Sequence, residues 1–124
     1  MVIGNGVDIL EISRIEKLIS ENPRFLERFF THQEQALFQE KGLKVESIAA
    51  NFAAKEAVSK AIGTGIRGFN LIDIEVLRDP LGKPIVTLLG KAKEIALSRG
   101  IVRFEVSLSH SNTHAIAFVI ALGN

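Results

Sequence analysis

The chain contains no cysteine, tryptophan or tyrosine, and only one methionine and three prolines. Without thiols it can form no disulfide, no thiolate zinc site and no cysteine nucleophile, a composition that fits a reducing compartment. Without tyrosine or tryptophan, nucleobases have neither ring to stack on, although phenylalanine occurs eight times. Long hydrophobic runs are also missing. The longest strictly apolar run, Ala115 to Leu122, is far below the ~20 residues of a membrane span. The opening MVIGNGVDILE has no basic segment ahead of an apolar run, so no secretory signal is expected. The expected location is cytoplasmic. Nor is there an excess of one charge. The formal net charge is +1, which gives no ground for nucleic acid or an anionic membrane as partner.

What is present is ordinary globular composition. The 124 residues are 47% hydrophobic and 23% charged, which predicts one domain over residues 1–124. A chain of this size buries roughly two thirds of its unfolded surface, enough for a real core. No repeat, flexible linker or charge block interrupts it.

Residues 2–8 read as a strand, with Val2, Gly4 and Gly6 on one face and Ile3, Asn5 and Val7 on the other. Two glycines in one strand signal close approach by another element. Ile12, Ile15, Leu18 and Ile19 then recur at helical spacing. Asn22-Pro23 breaks that helix and offers an N-cap and a first helical position for the next. Thr31-His32-Gln33-Glu34 matches a capping box, and Gly42 closes the helix it opens. The longest helix runs over 46–62 to Gly63, with the alanine-rich middle AANFAAKEAVSKA of high intrinsic propensity. Residues 71–78 alternate as a half-buried strand, 79–84 turn, and 85–89 return as a strand. A short helix over 91–98 stops at Gly100. Residues 102–108 alternate clearly, His110 to Thr113 turn, and 115–122 read as a fully buried strand. Hairpins imply antiparallel pairing, so the expected class is α+β, an antiparallel sheet packed against the long central helix.

Three motifs invite chemistry that their context denies. Gly63 to Gly68 spells GxGxxG, but a helix precedes it and a strand follows, the reverse of a dinucleotide fingerprint. The simpler reading is a helix C-cap and a turn, whose backbone also suits an anion. His110 and His114 flank a turn between strands, and no cysteine or HExxH pattern supports zinc. Ser109 and His110, adjacent on a strand, point to opposite faces and cannot pair as nucleophile and base.

Asp8 is different. It ends an apolar, glycine-containing strand, where it suits either a cap for the following helix or a metal ligand. Glu56 and Lys60 lie at i, i+4, which suits either an ordinary helix pair or a site. With Ala49 and Ala53 they share one face of the long helix within about 40°. Lys55 is turned about 140° from Lys60. Two carboxylates on separate elements, lysines beside them and no thiols point to Mg²⁺ with a phosphate substrate.

The stretches GVDILEISRI, NFAAKEAVSKAIGTGI, GKP at 82–84 and VSLSHSNTHAIAFVI occur in that order. Together, from about residue 3 to residue 120, they resemble the holo-acyl-carrier-protein synthase family, the bacterial 4′-phosphopantetheinyl transferases of fatty-acid synthesis. The resemblance implies transfer of the 4′-phosphopantetheine arm from coenzyme A to a serine of apo acyl carrier protein. It also implies Mg²⁺ dependence, release of adenosine 3′,5′-bisphosphate, and a homotrimer with coenzyme A in clefts between subunits. Asp8 and Glu56 fall on the family's metal-ligand positions, and Lys60 on the lysine of the diphosphate region. Lys55, Ser59, Gly63, Gly65, Pro84, His110 and Ser111 match stretches that line the coenzyme A cleft. Arg14, Leu18, Arg24, Phe25 and Arg28 match the helical region that receives the acidic carrier protein. Asn51 stands where many relatives carry a basic residue, and His114 where an aromatic or acidic one is common. Two other readings are a related transferase for carrier domains of secondary metabolism and a non-catalytic trimeric module that binds coenzyme A or nucleotides.

Overall fold

The computed structural model describes residues 1–63 and 68–124. Strand β1 (Val2–Glu11) leads directly into α1 (Ile12–Glu21), followed by α2 (Phe25–Phe29), α3 (His32–Glu40) and the long α4 (Val45–Ile62). A 3₁₀ turn at Leu71–Asp73 precedes β2 (Ile74–Arg78) and β3 (Pro84–Leu88). Helix α5 (Gly90–Ser98), β4 (Arg103–His110) and β5 (His114–Leu122) complete the chain. The strands form a three-stranded sheet of order β1-β5-β4 and a separate β2-β3 hairpin. All pairings are antiparallel. This is the α+β arrangement expected, with α4 laid across the three-stranded sheet. No helix among the described residues is long and apolar enough to cross a membrane.

Close packing of α4 on β1 depends on two missing side chains. A Cβ on Gly6 would overlap the Ala57 carbonyl oxygen and come within 2.9 Å of the Ala61 nitrogen. One on Gly4 would overlap the Ala61 carbonyl oxygen. The helix therefore sits backbone against backbone. Strand alternation puts Gly4, Gly6, Asp8 and Leu10 on the same face, so the glycine face continues directly to Asp8. At its far end α4 stops at Gly63, whose φ of 93° is the left-handed geometry that ends helices at low cost.

A buried charge network ties α3, α4 and β2 together. Lys55 and Glu34 are both fully buried and meet at 2.7 Å. The Lys55 ammonium also donates to the carbonyls of Leu71, at 3.2 Å, and Ile74. Glu34 completes the expected capping box by accepting from Thr31 N, and its second oxygen accepts from Val76 N at 2.9 Å. The Thr31 hydroxyl in turn donates to Glu75 at 2.7 Å. Burial pushes Glu34 up and Lys55 down, while their mutual attraction opposes both shifts. Leaving one member of such a pair alone in the core costs about 3–5 kcal/mol.

Five features differ from the sequence expectation. Strand β1 extends to Glu11, so Asp8 lies within it and is not a cap; α1 is entered from Glu11 without a side-chain bond. Asn22 does not start the second helix but ends the first, its side chain donating to Leu18 O at 2.9 Å; α2 begins at Phe25 after Arg24. Residues 71–73 form a 3₁₀ turn rather than strand. In β2, Glu75 is buried alongside Ile74 and Val76, and its carboxylate accepts from the Thr31 hydroxyl. Strand β5 is buried on one face only: Ile116 and Phe118 are exposed, since nothing among the described residues covers the sheet's outer side.

Replacing Gly6 by alanine must therefore push α4 off β1. The expected loss is about 1–3 kcal/mol, the usual range for overpacking, measured by denaturant unfolding. The same variant should lose more activity than its stability loss explains, because Asp8 and α4 would no longer hold their spacing.

Candidate functional site

The approach of α4 to β1 assembles three of the sequence-selected residues. Lys60, one turn beyond Glu56 on α4, donates to Asp8 Oδ1 at 3.2 Å and to Val7 O at 3.0 Å. Asp8 is largely covered, while half of the Lys60 side chain faces solvent. Glu56 is partly buried and close enough to feel both charges. Burial first, and then the Asp8 charge, push the Glu56 carboxyl above the ordinary range; Lys60 and Arg14 pull it down. Two like charges thus sit together in a part-buried site with incomplete compensation. Such a pair of carboxylates suits a bound cation.

The donor set fits Mg²⁺. Both Asp8 and Glu56 offer hard carboxylate oxygens, and Mg²⁺ characteristically takes one or two of these with phosphate and water completing the shell. No group of three or more His, Asp or Glu side chains able to hold a metal occurs among the described residues. An all-protein cage of the kind used for structural zinc is therefore not what this arrangement offers.

The residues expected along a coenzyme A cleft divide. Lys60 stands at the carboxylate pair and Gly63 is exposed at the end of α4. Pro84 and His110 line a second cleft, beside Arg78 and the first half of α4. Ser111 is exposed in the β4–β5 turn, where its hydroxyl accepts from Thr113 N and His114 N. Gly65 lies outside the described residues. Two positions are corrected. Lys55 lines no cleft: it is fully buried, and Glu34 and two carbonyls take its donors. Ser59 is likewise buried, its hydroxyl donating to Glu56 O at 2.8 Å. On the side of α4 that α3 and β2 cover, a lysine needs an internal partner, and Glu34 of the capping box supplies it.

The expected docking residues also divide. Arg14, Arg24 and Arg28 are exposed, and Arg14 is close enough to influence Glu56. Arg14 and Lys17 line one surface depression of about 610 Å³ with Ser13 and His114. Arg28 lies over the Phe29 ring at 5.3 Å. Leu18 is partly buried against the core. Phe25 is corrected: it is core, with its ring 5.8 Å from Phe52 and 5.2 Å from Phe29. The helix does not continue through the break, so Phe25 does not share a face with Arg14 and Lys17.

Arg78 and Asn51 were not singled out as site residues. Asn51 is fully buried, donating to Val76 O at 2.9 Å and accepting from Arg78 at 2.8 Å. No local pattern connects two residues that far apart in sequence.

Comparison with known proteins places the chain. A family model described as the 4′-phosphopantetheinyl transferase superfamily matches residues 4–119. A protein of Clostridium beijerinckii called holo-acyl-carrier-protein synthase is 55% identical over 120 residues, covering 97% of each chain. The crystal structure of the Neisseria meningitidis enzyme of that name superposes with a TM-score of 0.91 at 36% identity, covering 98% of this chain and 99% of that one. The Helicobacter pylori enzyme of that name, solved in complex with coenzyme A, gives 0.82 at 38% identity over 95% of this chain and 99% of that one.

The Glu56 environment makes a direct prediction. In the metal-free protein its side-chain carboxyl should titrate, by NMR, above the ordinary range of a glutamate. Asp8→Asn should lower that midpoint only in part, since burial is the larger cause. Lys60→Met should raise it further. A raised carboxyl in the folded state favours its protonated form, so this group stabilises the fold less as pH rises through its titration.

Proposed function

Because the chain belongs to the 4′-phosphopantetheinyl transferase superfamily, we propose that this transferase moves the 4′-phosphopantetheine arm of coenzyme A onto a serine of apo acyl carrier protein. The serine oxygen forms the new phosphodiester. The bond from that phosphorus to adenosine 3′,5′-bisphosphate breaks, and the serine proton is released. The arrangement of Asp8, Glu56 and Lys60 carries this reading. It offers a pair of carboxylates suited to a cation and a half-exposed ammonium at one spot, and no nucleophile of its own, as expected where the partner supplies one.

Asp8 and Glu56 would hold Mg²⁺, which supplies Lewis-acid neutralisation of the diphosphate. Lys60, half-exposed and anchored by Val7 O, offsets charge on the departing bisphosphate. Phosphoryl transfer depends chiefly on such positioning and charge stabilisation. Arg14, Arg24 and Arg28 present exposed cations to an acidic carrier, which favours fast association at low salt. The pathway served is fatty-acid synthesis, and the compartment is the cytoplasm.

The assembly proposed is a homotrimer with coenzyme A between subunits. One observation supports it. Val7, Ile9, Ile116 and Phe118 form an exposed apolar patch on the outer face of the sheet, with Val7 opposite Phe118 and Ile9 opposite Ile116. Such contiguous apolar surface is a mark of association. A neighbouring subunit also offers a way for the Asp8–Lys60 end of one chain to meet the His110–Pro84 cleft of the next.

Intact-mass analysis of apo acyl carrier protein incubated with this protein, coenzyme A and Mg²⁺ should show gain of one phosphopantetheine arm, abolished by chelator. Asp8→Ala and Glu56→Ala should each cut turnover by about a hundredfold or more, the scale of several kcal/mol of lost charge stabilisation, with melting temperature retained. Near-normal rates in both variants would remove the metal assignment. Sedimentation should give a trimer, and a fully active monomer would contradict the shared cleft.

A further inference from the structure

Lys55 adjoins Glu56 on α4, about 100° around the helix from it, and faces the interior. An ammonium has three donors, and here all three are taken: by Glu34 Oε1 at 2.7 Å, Leu71 O at 3.2 Å and Ile74 O. Glu34 is equally committed, since its oxygens also accept from Thr31 N and Val76 N. One turn earlier on the same stripe of α4, Asn51 donates to Val76 O at 2.9 Å. Among the described residues β2 pairs with β3 alone. Its Ile74 O, Val76 N and Val76 O take side chains of α3 and α4 as partners. The two helices are thus clasped to β2 by bonds that have direction, unlike the apolar packing around them.

The β1 side of α4 restrains the helix differently. Gly4 and Gly6 meet its backbone at Ala57 and Ala61, which sets how close the helix lies to the strand. With no side chain on the strand and only methyl groups on the helix, that contact has no ridges and grooves to stop the helix turning on its axis. Lys60 also reaches Val7 O, but through a long side chain that is half exposed. A turn matters to Glu56. Groups at the rim of a helix lie about 5–6 Å from its axis, so a turn of about 20° carries them about 2 Å. Mg²⁺ holds its oxygens at about 2.0–2.1 Å in near-octahedral geometry, and a built site tolerates about 0.5 Å of error. Resting on the reading of Asp8 and Glu56 as metal carboxylates, we propose that Lys55 is a positioning residue. Its clasp on Glu34 and β2 fixes the rotation of α4 and so holds Glu56 at the spacing from Asp8 that a divalent cation requires.

Lys55→Met alone strands the Glu34 charge in the core, so the test uses Lys55→Met combined with Glu34→Gln, which leaves no buried charge there. Val58→Ala, at a buried position of the same helix outside the clasp, is the control for lost stability. Mn²⁺ is titrated into each folded protein saturated with coenzyme A, well below its melting temperature, and bound metal is read by electron paramagnetic resonance. The double variant should bind Mn²⁺ about 10–100-fold more weakly than wild type, the usual effect of removing a group that orients a metal ligand. Its activation constant for Mg²⁺ should rise in step, while KM for coenzyme A at saturating metal stays near wild type. Val58→Ala should keep the wild-type Mn²⁺ affinity. A crystal structure of the metal-free double variant gives a readout independent of the cation: α4 should be turned about its axis, with Glu56 displaced from Asp8 and the glycine contact kept. Wild-type Mn²⁺ affinity in the double variant, an equal loss in Val58→Ala, or α4 in its original rotation would overturn the inference. If α4 turns but wild type holds no Mn²⁺ that Asp8→Ala removes, the metal reading fails and the positioning role stands. If wild type holds that Mn²⁺ and the double variant holds it equally well, the positioning role fails and the metal reading stands.

Discussion

The contact between α4 and β1 is the constraint on which the rest depends. Gly4 and Gly6 leave room for the Ala57 and Ala61 backbone to press directly on the strand. Any side chain at those positions would hold the helix away. The consequence is chemical as well as structural. Asp8 lies two residues beyond Gly6 on the same strand face, so the helix that packs on glycine reaches Asp8 with Glu56 and Lys60. Lys60 bridges the elements through Val7 O and the Asp8 carboxylate, while Glu56 stays half-buried and undercompensated. A site of this kind is built by packing rather than by a loop, so its geometry is as rigid as the core beneath it.

Much of this was legible because it is local. The Thr31–Glu34 capping box, the Gly63 stop and the alternation of β4 each lie within a few residues, and each was read correctly. The two glycines announced a close approach without naming the partner. The failures share one cause, partners distant in sequence. Lys55 and Lys60 sit five apart on one helix in the same alanine-rich motif. One is sealed against Glu34 and the other reaches solvent, because α3 and β2 cover one side of α4 and not the other. Composition cannot show that. Phe25 resembled a surface anchor until Phe29, Phe30 and Phe52 closed around it. Glu75 looked like the outward half of an alternating strand until Thr31 reached it.

The buried Lys55–Glu34 pair explains why the polar side of the interior is ordered. Every donor of that ammonium and both oxygens of that carboxylate are used. No buried side-chain polar atom among the described residues lacks a partner. Asn51 and Arg78 extend the same logic toward the surface, where the last cation has neutral neighbours and an open cleft. Internal satisfaction and external demand are thus continuous along α4. The helix carries a structural lysine, a metal-type carboxylate and an exposed lysine within one and a half turns. The apolar outer face of the sheet is left exposed in the single chain.

The most direct measurement of the central claim is anomalous diffraction from crystals of this protein grown with coenzyme A and Mn²⁺ in place of Mg²⁺. The account predicts one strong anomalous peak at each active centre, within coordination distance of both the Asp8 and Glu56 carboxylates. A peak bound elsewhere, or coenzyme A in its cleft with no metal between these two residues, would contradict it.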